Sequence, residues 1–573
     1  MPKLLLLVLL GAEPLRAQMK AALFGDDLVG LWGAEVVFGT AVRGPLLLER
    51  AGDHFTVRVG GIEATARSTG DSVRIALPGG AGALRARIAG RALQAMWIQP
   101  AGNSPAFASP VHLVPVRPGA WRGTVTPVDE RFSLYLLFRR QADGSISAVF
   151  RNPEAGWNLG RMYRVGRDGD NLTFTDIATG KVRWRQPYDS TQRTIEFQFG
   201  SPVWLRPISR AEARGFAPRI QMESTYAYRM PFAGDDGWPT ALAGATGMNE
   251  APLAELVERI VRMDPAGDST PLVHSVLVAH RGRLVLDEYF YGFTADRPHD
   301  TRSAFKTMTS LMVGAASDQS ARLTVASPVY PIFGLNSLVR ADARRGRITV
   351  GQLLTHSTGL ACDDNDDASA GNEDKLQQGQ GDWYRYMLEL PVVHAPGSIY
   401  AYCSGTMHVA AGVVARTTGR WLPEFFDDAL ARPLGIRDYA IMLTPDGEGY
   451  GGGGAYLRPR DLLKFGQLAL DGGTWNGARV VSQAWIKRST SHQASTPDGG
   501  SDGFGWHRHT LRVNGRAYQE FEANGNGGQF LIVVPALDLA VVFTAGNYNR
   551  YRVWRALRDE YVPTYIMAAV RPR

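Results

Sequence analysis

HDTRSAFKTMTSLMVGAASDQ, residues 299–319, carries apolar side chains at helical spacing: Phe305, Met308, Leu311, Met312, Ala315 and Ala316. Asp300, Thr301 and Ser303 are residue types suited to cap the start of that helix. Positions three apart share a helix face. Ser303 and Lys306 therefore point the same way, with Ser303 in the first turn. A serine hydroxyl is a poor nucleophile until an adjacent base takes its proton. A solvated lysine is already protonated, whereas a buried one, or one beside another cation, has a depressed pKa and can act as that base. The helix N-terminus adds N–H groups that favour an oxyanion. Ser-x-x-Lys alone also arises by chance, as a capping serine and a solvated lysine, so the weight falls on its surroundings.

At 573 residues the chain is long enough for about two to four domains, and its 45% hydrophobic content fills ordinary cores. Sixty-two basic and 55 acidic residues leave a net charge of +7 with no basic run or stripe, which gives no sign of nucleic-acid binding. The start, MPKLLLLVLLGAEPLRAQ, has one lysine, an apolar run at 4–10 and then small and polar residues. It resembles a secretory signal peptide cut near Ala17-Gln18. The run is too short to span a bilayer, and no other stretch reads as transmembrane. Export to the periplasm or outside the cell is the expectation. Only two cysteines occur, Cys362 and Cys403, so this is neither a disulfide scaffold nor a zinc ribbon. In an exported protein they could pair or stay as buried thiols; the closed loop would contribute roughly 4 kcal/mol.

From 28 to 207 short alternating runs are broken by Gly, Asp and Asn, for example HFTVRVGG and NLTFTDIATGKVRWRQ. They read as antiparallel strands and tight hairpins. Gly30-Leu31-Trp32-Gly33 is echoed by Gly119-Ala120-Trp121-Arg122-Gly123, and PVHLVPV from Pro110 by PVWLRPI from Pro202. Two copies of about ninety residues fit a duplicated small barrel or sandwich; the Gly-x-Trp start is similar to that of lipocalin-like barrels. No catalytic constellation lies here, and the region is a candidate binder of substrate, wall component or protein. Residues 211–247 lack periodicity and carry Gly, Pro and Asp, as a linker does. The expected organisation is a signal peptide at 1–18, a β-rich domain at 19–210, the linker, and a second domain at 248–573.

That second domain opens with an amphipathic helix at 249–263 and a hairpin around Arg281-Gly282. Beyond the Ser303 helix come ITVGQLLTHSTGL at 348–360, Pro396-Gly397 before Tyr400-Ala401-Tyr402-Cys403-Ser404-Gly405, GGGGAYLRPRD at 451–461, and Gly525-Asn526-Gly527-Gly528-Gln529 before FLIVVPALDLAVVFTAG. In this order the motifs resemble the serine β-lactamase and penicillin-binding-protein superfamily. More narrowly, they resemble its class C-like branch with family VIII esterases and 6-aminohexanoate-dimer-hydrolase-type enzymes. The resemblance covers about 249–547. It implies an α+β fold: an antiparallel sheet flanked by helices, plus a helical subdomain, with the Ser303 helix beneath the sheet edge.

The resemblance also implies roles. Ser303 is the nucleophile, and Lys306 and Tyr402 manage its proton. Ser404 stands where the family often has Asn, and can hydrogen-bond Lys306 or substrate. One oxyanion N–H falls on Ser303 and the other on the strand of Gly525, Asn526 and Gly527, best placed at Asn526. A β-lactamase carries Lys-Thr-Gly in this third box; its absence here favours esters and amides over anionic β-lactams. The resemblance makes His356 structural, and it brings the segments of Cys362 and Cys403 together, implying a disulfide. Tyr400 is expected to be a packed aromatic. The run Asp363-Asp364-Asn365-Asp366-Asp367 is expected to be a solvated loop at the cleft rim, since Ala368 replaces the glycine a calcium loop needs. No cofactor and no metal is expected. The first reading is thus a serine hydrolase acting on a small-molecule or short-peptide ester or amide. A D-amino-acid peptidase or penicillin-binding protein shares that mechanism, and a non-catalytic binding protein on the same scaffold is the third alternative. The chain has no Gly-x-Ser-x-Gly elbow and no His-Glu-x-x-His.

Overall fold

The alternating runs before residue 207 do pair as antiparallel strands, but the two repeats do not each close on themselves. The structure, a computed structural model, describes residues 25–571 apart from 39–41, 90–91, 103–104, 157–160, 200, 220–224, 265–266, 268 and 321. The expected signal peptide at 1–18 lies outside the described residues. Among the described residues no helix is long and apolar enough to cross a membrane.

The strand Gly30–Phe38 belongs to the first repeat, yet it pairs with Glu130–Arg140 and Ser201–Pro207 of the second. It completes a closed eight-stranded barrel. Its counterpart Ala120–Val125 pairs instead with Gly44–Ala51 and Val114–Arg117 of the first repeat. The copies have exchanged their first strands. Each strand makes the pairings its sequence prescribes, only in the other copy, so the exchange costs little. Trp32 is fully buried in the closed barrel, its indole N–H donating to the Leu28 carbonyl at 2.7 Å. Trp121 is only half-buried.

The first repeat does not close. Its strand Phe107–Val111 pairs on one side with Ala92–Gln99 and on the other with Tyr439–Met442, far along the chain. A seven-stranded sheet results, running from Ser72–Ala76 through Tyr439–Met442 and Ala455–Leu457 to His299–Asp300, three residues before Ser303. Buried polar contacts reinforce the junction: Arg85 donates to Glu424 at 2.7 Å and Gln94 to Asp427 at 2.9 Å. Both carboxylates are almost fully buried. Removing residues 1–210 strips Glu424 and Asp427 of these partners, at about 3 kcal/mol or more for a broken buried ion pair, and bares a strand edge. The 211–573 fragment is therefore expected to aggregate, or to melt well below the full chain in calorimetry. An unchanged melting temperature in a monomeric fragment would overturn this account of the junction.

The second domain centres on an eight-stranded antiparallel sheet, with Arg283–Tyr289 at one edge, then Val273–His280, Leu539–Ala545, Gln529–Val534, Arg516–Gly525, His507–Val513, Ser501–Asp502 and Ala494–Ser495. One face is covered by the helix Glu250–Arg262, which buries Leu253, Leu256, Val257 and Ile260, and by the turn-rich helix Leu557–Met567. Asn249 caps the first of these, accepting from the Ala251 amide. The other face carries the helices Phe305–Gln319 and Pro459–Leu470, with Ser404–Thr418 packed against Phe305–Gln319. The segment expected to be a free linker is a strap. Tyr228 donates to the Val285 carbonyl at 2.7 Å, the Trp238 indole to the Arg460 carbonyl at 2.9 Å, and 243–246 form a helical turn.

Candidate active site

Ser303 lies in a tight 3-10 turn, Arg302–Ala304, that runs straight into the helix Phe305–Gln319. Of the expected caps, Asp300 acts as one: its carboxylate accepts from the Arg302 amide at 2.8 Å. Thr301 instead donates its hydroxyl to the Ala455 carbonyl at 2.8 Å, tying the turn to the adjacent strand. Arg302 has φ of 49°, a costly conformation for a residue with a side chain. Residues 305–316 of the helix are all buried, so its first turn is held from below.

Lys306 is buried and donates to the Ser303 hydroxyl at 2.9 Å and to the Gly452 carbonyl at 2.6 Å. The Tyr402 phenol arrives from just before the helix Ser404–Thr418 and lies beside Ser303 and Lys306, both of which favour its ionised form, with Lys306 Nζ 5.0 Å from the centre of its ring. Gly452 has to be glycine: a Cβ there would lie 2.4 Å from the Tyr450 hydroxyl and 2.7 Å from the Ser404 carbonyl. The glycine-rich run thus brings its backbone against the lysine.

The electrostatics depart from the expected depressed lysine. Burial is the largest influence on Lys306 and does pull its pKa down. Tyr402 and the carboxylates of Glu373 and Asp364 more than offset it, and the net direction is upward. Burial raises the Tyr402 phenol, with Lys306 partly opposing. Both groups hold their protons at neutral pH. Neither acidic residue carried a recognisable signal beyond the Asp-rich run. The loop expected to be solvated at 363–367 is only partly so: Asp364 is largely shielded, accepting from the Ser404 amide at 2.6 Å and the Glu373 amide at 3.0 Å. Glu373 in turn accepts from the Tyr450 hydroxyl at 2.5 Å.

His356 is buried beside Tyr402, ring centroids 4.7 Å apart, with Nδ1 3.1 Å from the Cys403 carbonyl. Burial lowers its pKa to about 3, so it is a neutral support. Cys362 and Cys403 form a disulfide, Cα atoms 5.7 Å apart, next to Tyr402. Reduction is expected to destabilise the protein by about 4 kcal/mol in denaturant unfolding; an unchanged midpoint would show that the bridge constrains nothing. Ser404 is fully buried behind Tyr402 and does not line the cleft.

The cleft over Ser303 has a volume of about 680 Å³, and Tyr402, Asn526 and His507 contribute to its walls. Gly525 lets the third-box strand approach: a Cβ would lie 2.4 Å from the Thr301 carbonyl. Gly527, with φ of 99°, turns the chain back into Gln529–Val534. Asn526 is clamped to Asn549 by two hydrogen bonds of 2.7 Å. Tyr400 is not merely packed. It donates to Asp502 at 2.7 Å, and Asp502 also holds His507 at 2.9 Å. Burial opposes a charge on His507, but Asp502 outweighs it and raises its pKa. The His507 ring lies 6.1 Å from that of Tyr402. No sequence pattern pointed to this Tyr400–Asp502–His507 chain.

The family description "Beta-lactamase" matches residues 270–560, half of the chain, and spans every motif of this site. The chain belongs to the beta-lactamase family. A 6-aminohexanoate-dimer hydrolase of Paenarthrobacter ureafaciens is 27% identical over 316 residues, 50% of this chain and 78% of that protein. Among solved structures, the chain is similar to EstCE1, described as a hydrolase with promiscuous acyltransferase activity (17% identity, TM-score 0.44, 56% of this chain and 99% of that one). It is also similar to a penicillin-binding protein homologue from Caulobacter crescentus (17% identity, TM-score 0.42, 56% and 94%). The beta-lactamase family match begins at 270, beyond the two exchanged-strand repeats, so those are an addition to it.

Proposed function

We propose that the protein is a serine hydrolase that cleaves an ester or amide through an acyl-enzyme on Ser303. The observation that carries this reading is the 2.9 Å contact between Lys306 Nζ and Ser303 Oγ at the floor of an open cleft, with Tyr402 beside both. One proton first leaves the Lys306–Tyr402 pair. Ser303 Oγ then attacks the carbonyl carbon as its own proton passes to that pair. The oxyanion meets the Ser303 amide and the backbone around Asn526. As the C–O or C–N bond breaks, Tyr402 returns the proton to the leaving group. Water repeats the sequence on the acyl-enzyme, releasing the acid and restoring Ser303.

The rim favours neutral or cationic substrates. Asp363, Asp367, Asp374 and Asp498 line the cleft along with the better-shielded Asp364 and Asp502, and the third box offers no lysine. Arg558, on the far wall, is engaged with Glu522 and Asp559. A carboxylate-bearing substrate therefore meets an unfavourable field. Short acyl p-nitrophenyl esters are expected to exceed nitrocefin and D-Ala-D-Ala peptides in kcat/KM by roughly tenfold or more, about 1.4 kcal/mol of discrimination. Faster turnover of nitrocefin would reverse the substrate assignment, and faster turnover of the peptides would favour a D-amino-acid peptidase.

A further inference from the structure

Glu520 and Glu522 lie two residues apart on the strand Arg516–Gly525 and so share one face of the sheet. The neighbouring strand places His509 opposite Glu520. Both glutamates are essentially fully buried. Both carboxylate oxygens of Glu520, and Oε2 of Glu522, have no hydrogen-bond partner. The other oxygen of Glu522 accepts from Arg558 at 3.0 Å and Asn524 at 2.8 Å, and lies 3.5 Å from His509 Nε2. One ligand atom from each of His509, Glu520 and Glu522 falls within 4.8 Å of the other two.

Two carboxylates are thus withdrawn from water with one guanidinium between them, and that guanidinium also bonds Asp559 at 2.6 Å. Buried anions without partners are strongly disfavoured unless something neutralises them. A proton on Glu520 would serve one oxygen pair and leave the second Glu520 oxygen bare. A cation would engage one oxygen of each glutamate and the imidazole together. We propose that His509, Glu520 and Glu522 form a binding site for a divalent transition-metal cation, Zn²⁺ being the best match to one imidazole and two carboxylates. Three protein ligands leave a position for water, and His509 opens that position toward the catalytic cleft, whose wall it lines. Arg558 and Asn524 act from outside, orienting Glu522. The site lies apart from Ser303, Lys306 and Tyr402, and no step of the proposed hydrolysis passes through it. A His-x10-Glu-x-Glu spacing is no recognised ligand motif; only the pairing of two strands assembles it.

The test uses the full chain, stripped with a chelator and dialysed, then titrated with Zn²⁺ and separately with Mn²⁺ in a calorimeter. Wild type is expected to take up about one equivalent of Zn²⁺ and to melt at a higher temperature with the metal than without it. Glu520→Gln and His509→Ala are each expected to lose stoichiometric uptake and the melting shift, with circular dichroism unchanged from wild type. Tighter uptake of Mn²⁺ than of Zn²⁺ overturns the choice of metal. Absence of stoichiometric uptake of either ion by wild type overturns the site and leaves a carboxyl–carboxylate pair sharing a proton. So does uptake undiminished in both variants. If either variant misfolds, the wild-type titration and melting shift alone decide between these outcomes.

Discussion

Ser303→Ala is expected to abolish covalent labelling by a fluorophosphonate probe and to lower kcat on a p-nitrophenyl ester by about 10³- to 10⁶-fold, the range for losing a nucleophile from a catalytic set. The fold should be untouched. The hydroxyl accepts from the Lys306 side chain, and the helix behind it is held by buried apolar contacts from Phe305 onward. The change in stability is expected to stay within about 0.5 kcal/mol. Lys306→Ala alone should cost nearly as much activity, and adding it to Ser303→Ala should cost little more, because groups that act as one unit do not add. Additive losses would mean that Lys306 serves some end other than Ser303. Undiminished labelling of folded Ser303→Ala would remove this serine as the nucleophile altogether.

What sequence could supply here was local chemistry and order along the chain. The three-residue spacing of Ser303 and Lys306 is a property of one helix, and the Tyr402 box and the glycine run are short phrases that read without a fold. What it could not supply depends on segments meeting across long separations. Lys306 donates to a carbonyl 146 positions later; a backbone oxygen has no residue type to betray it. Asp364 and Glu373 help to reverse the direction of the lysine's pKa; in sequence Asp364 belongs to an acidic run that looks merely soluble, and Glu373 lies six residues beyond it. His507 and Asp502 lie a hundred residues or more past Tyr402 and reach its neighbourhood only through strand pairing. The repeats of the first two hundred residues were visible as repeats. Their exchange of first strands was not, because Gly30–Phe38 and Ala120–Val125 satisfy the same pairing rules in either copy. The seven-stranded sheet was hidden for the same reason: nothing in Phe107–Val111 names Tyr439–Met442 as its partner.

The raised pKa of Lys306 carries a signed consequence for the rate. With both Lys306 and Tyr402 protonated at neutral pH, the form able to accept the Ser303 proton has lost one proton from the pair. Deprotonation is favoured as pH rises, so kcat/KM on a neutral ester is expected to climb through the alkaline range rather than level off near neutrality. Glu373 is one of the carboxylates holding that proton. Glu373→Gln removes its charge while keeping an oxygen for the Tyr450 hydroxyl, so the ascending limb is expected to move to lower pH. Tyr402→Phe should act differently. It deletes the phenol oxygen beside Ser303 and Lys306, with an expected loss of about 10²- to 10⁴-fold in kcat, the usual worth of a positioned general acid or base. The ring would keep its packing against His356, so stability should change by about 1 kcal/mol or less. A Tyr402→Phe enzyme within a few-fold of wild type would remove the phenol from the proton path and leave Lys306 to work alone. A limb that moves to higher pH in Glu373→Gln would mean that the proton in question resides on neither member of the pair.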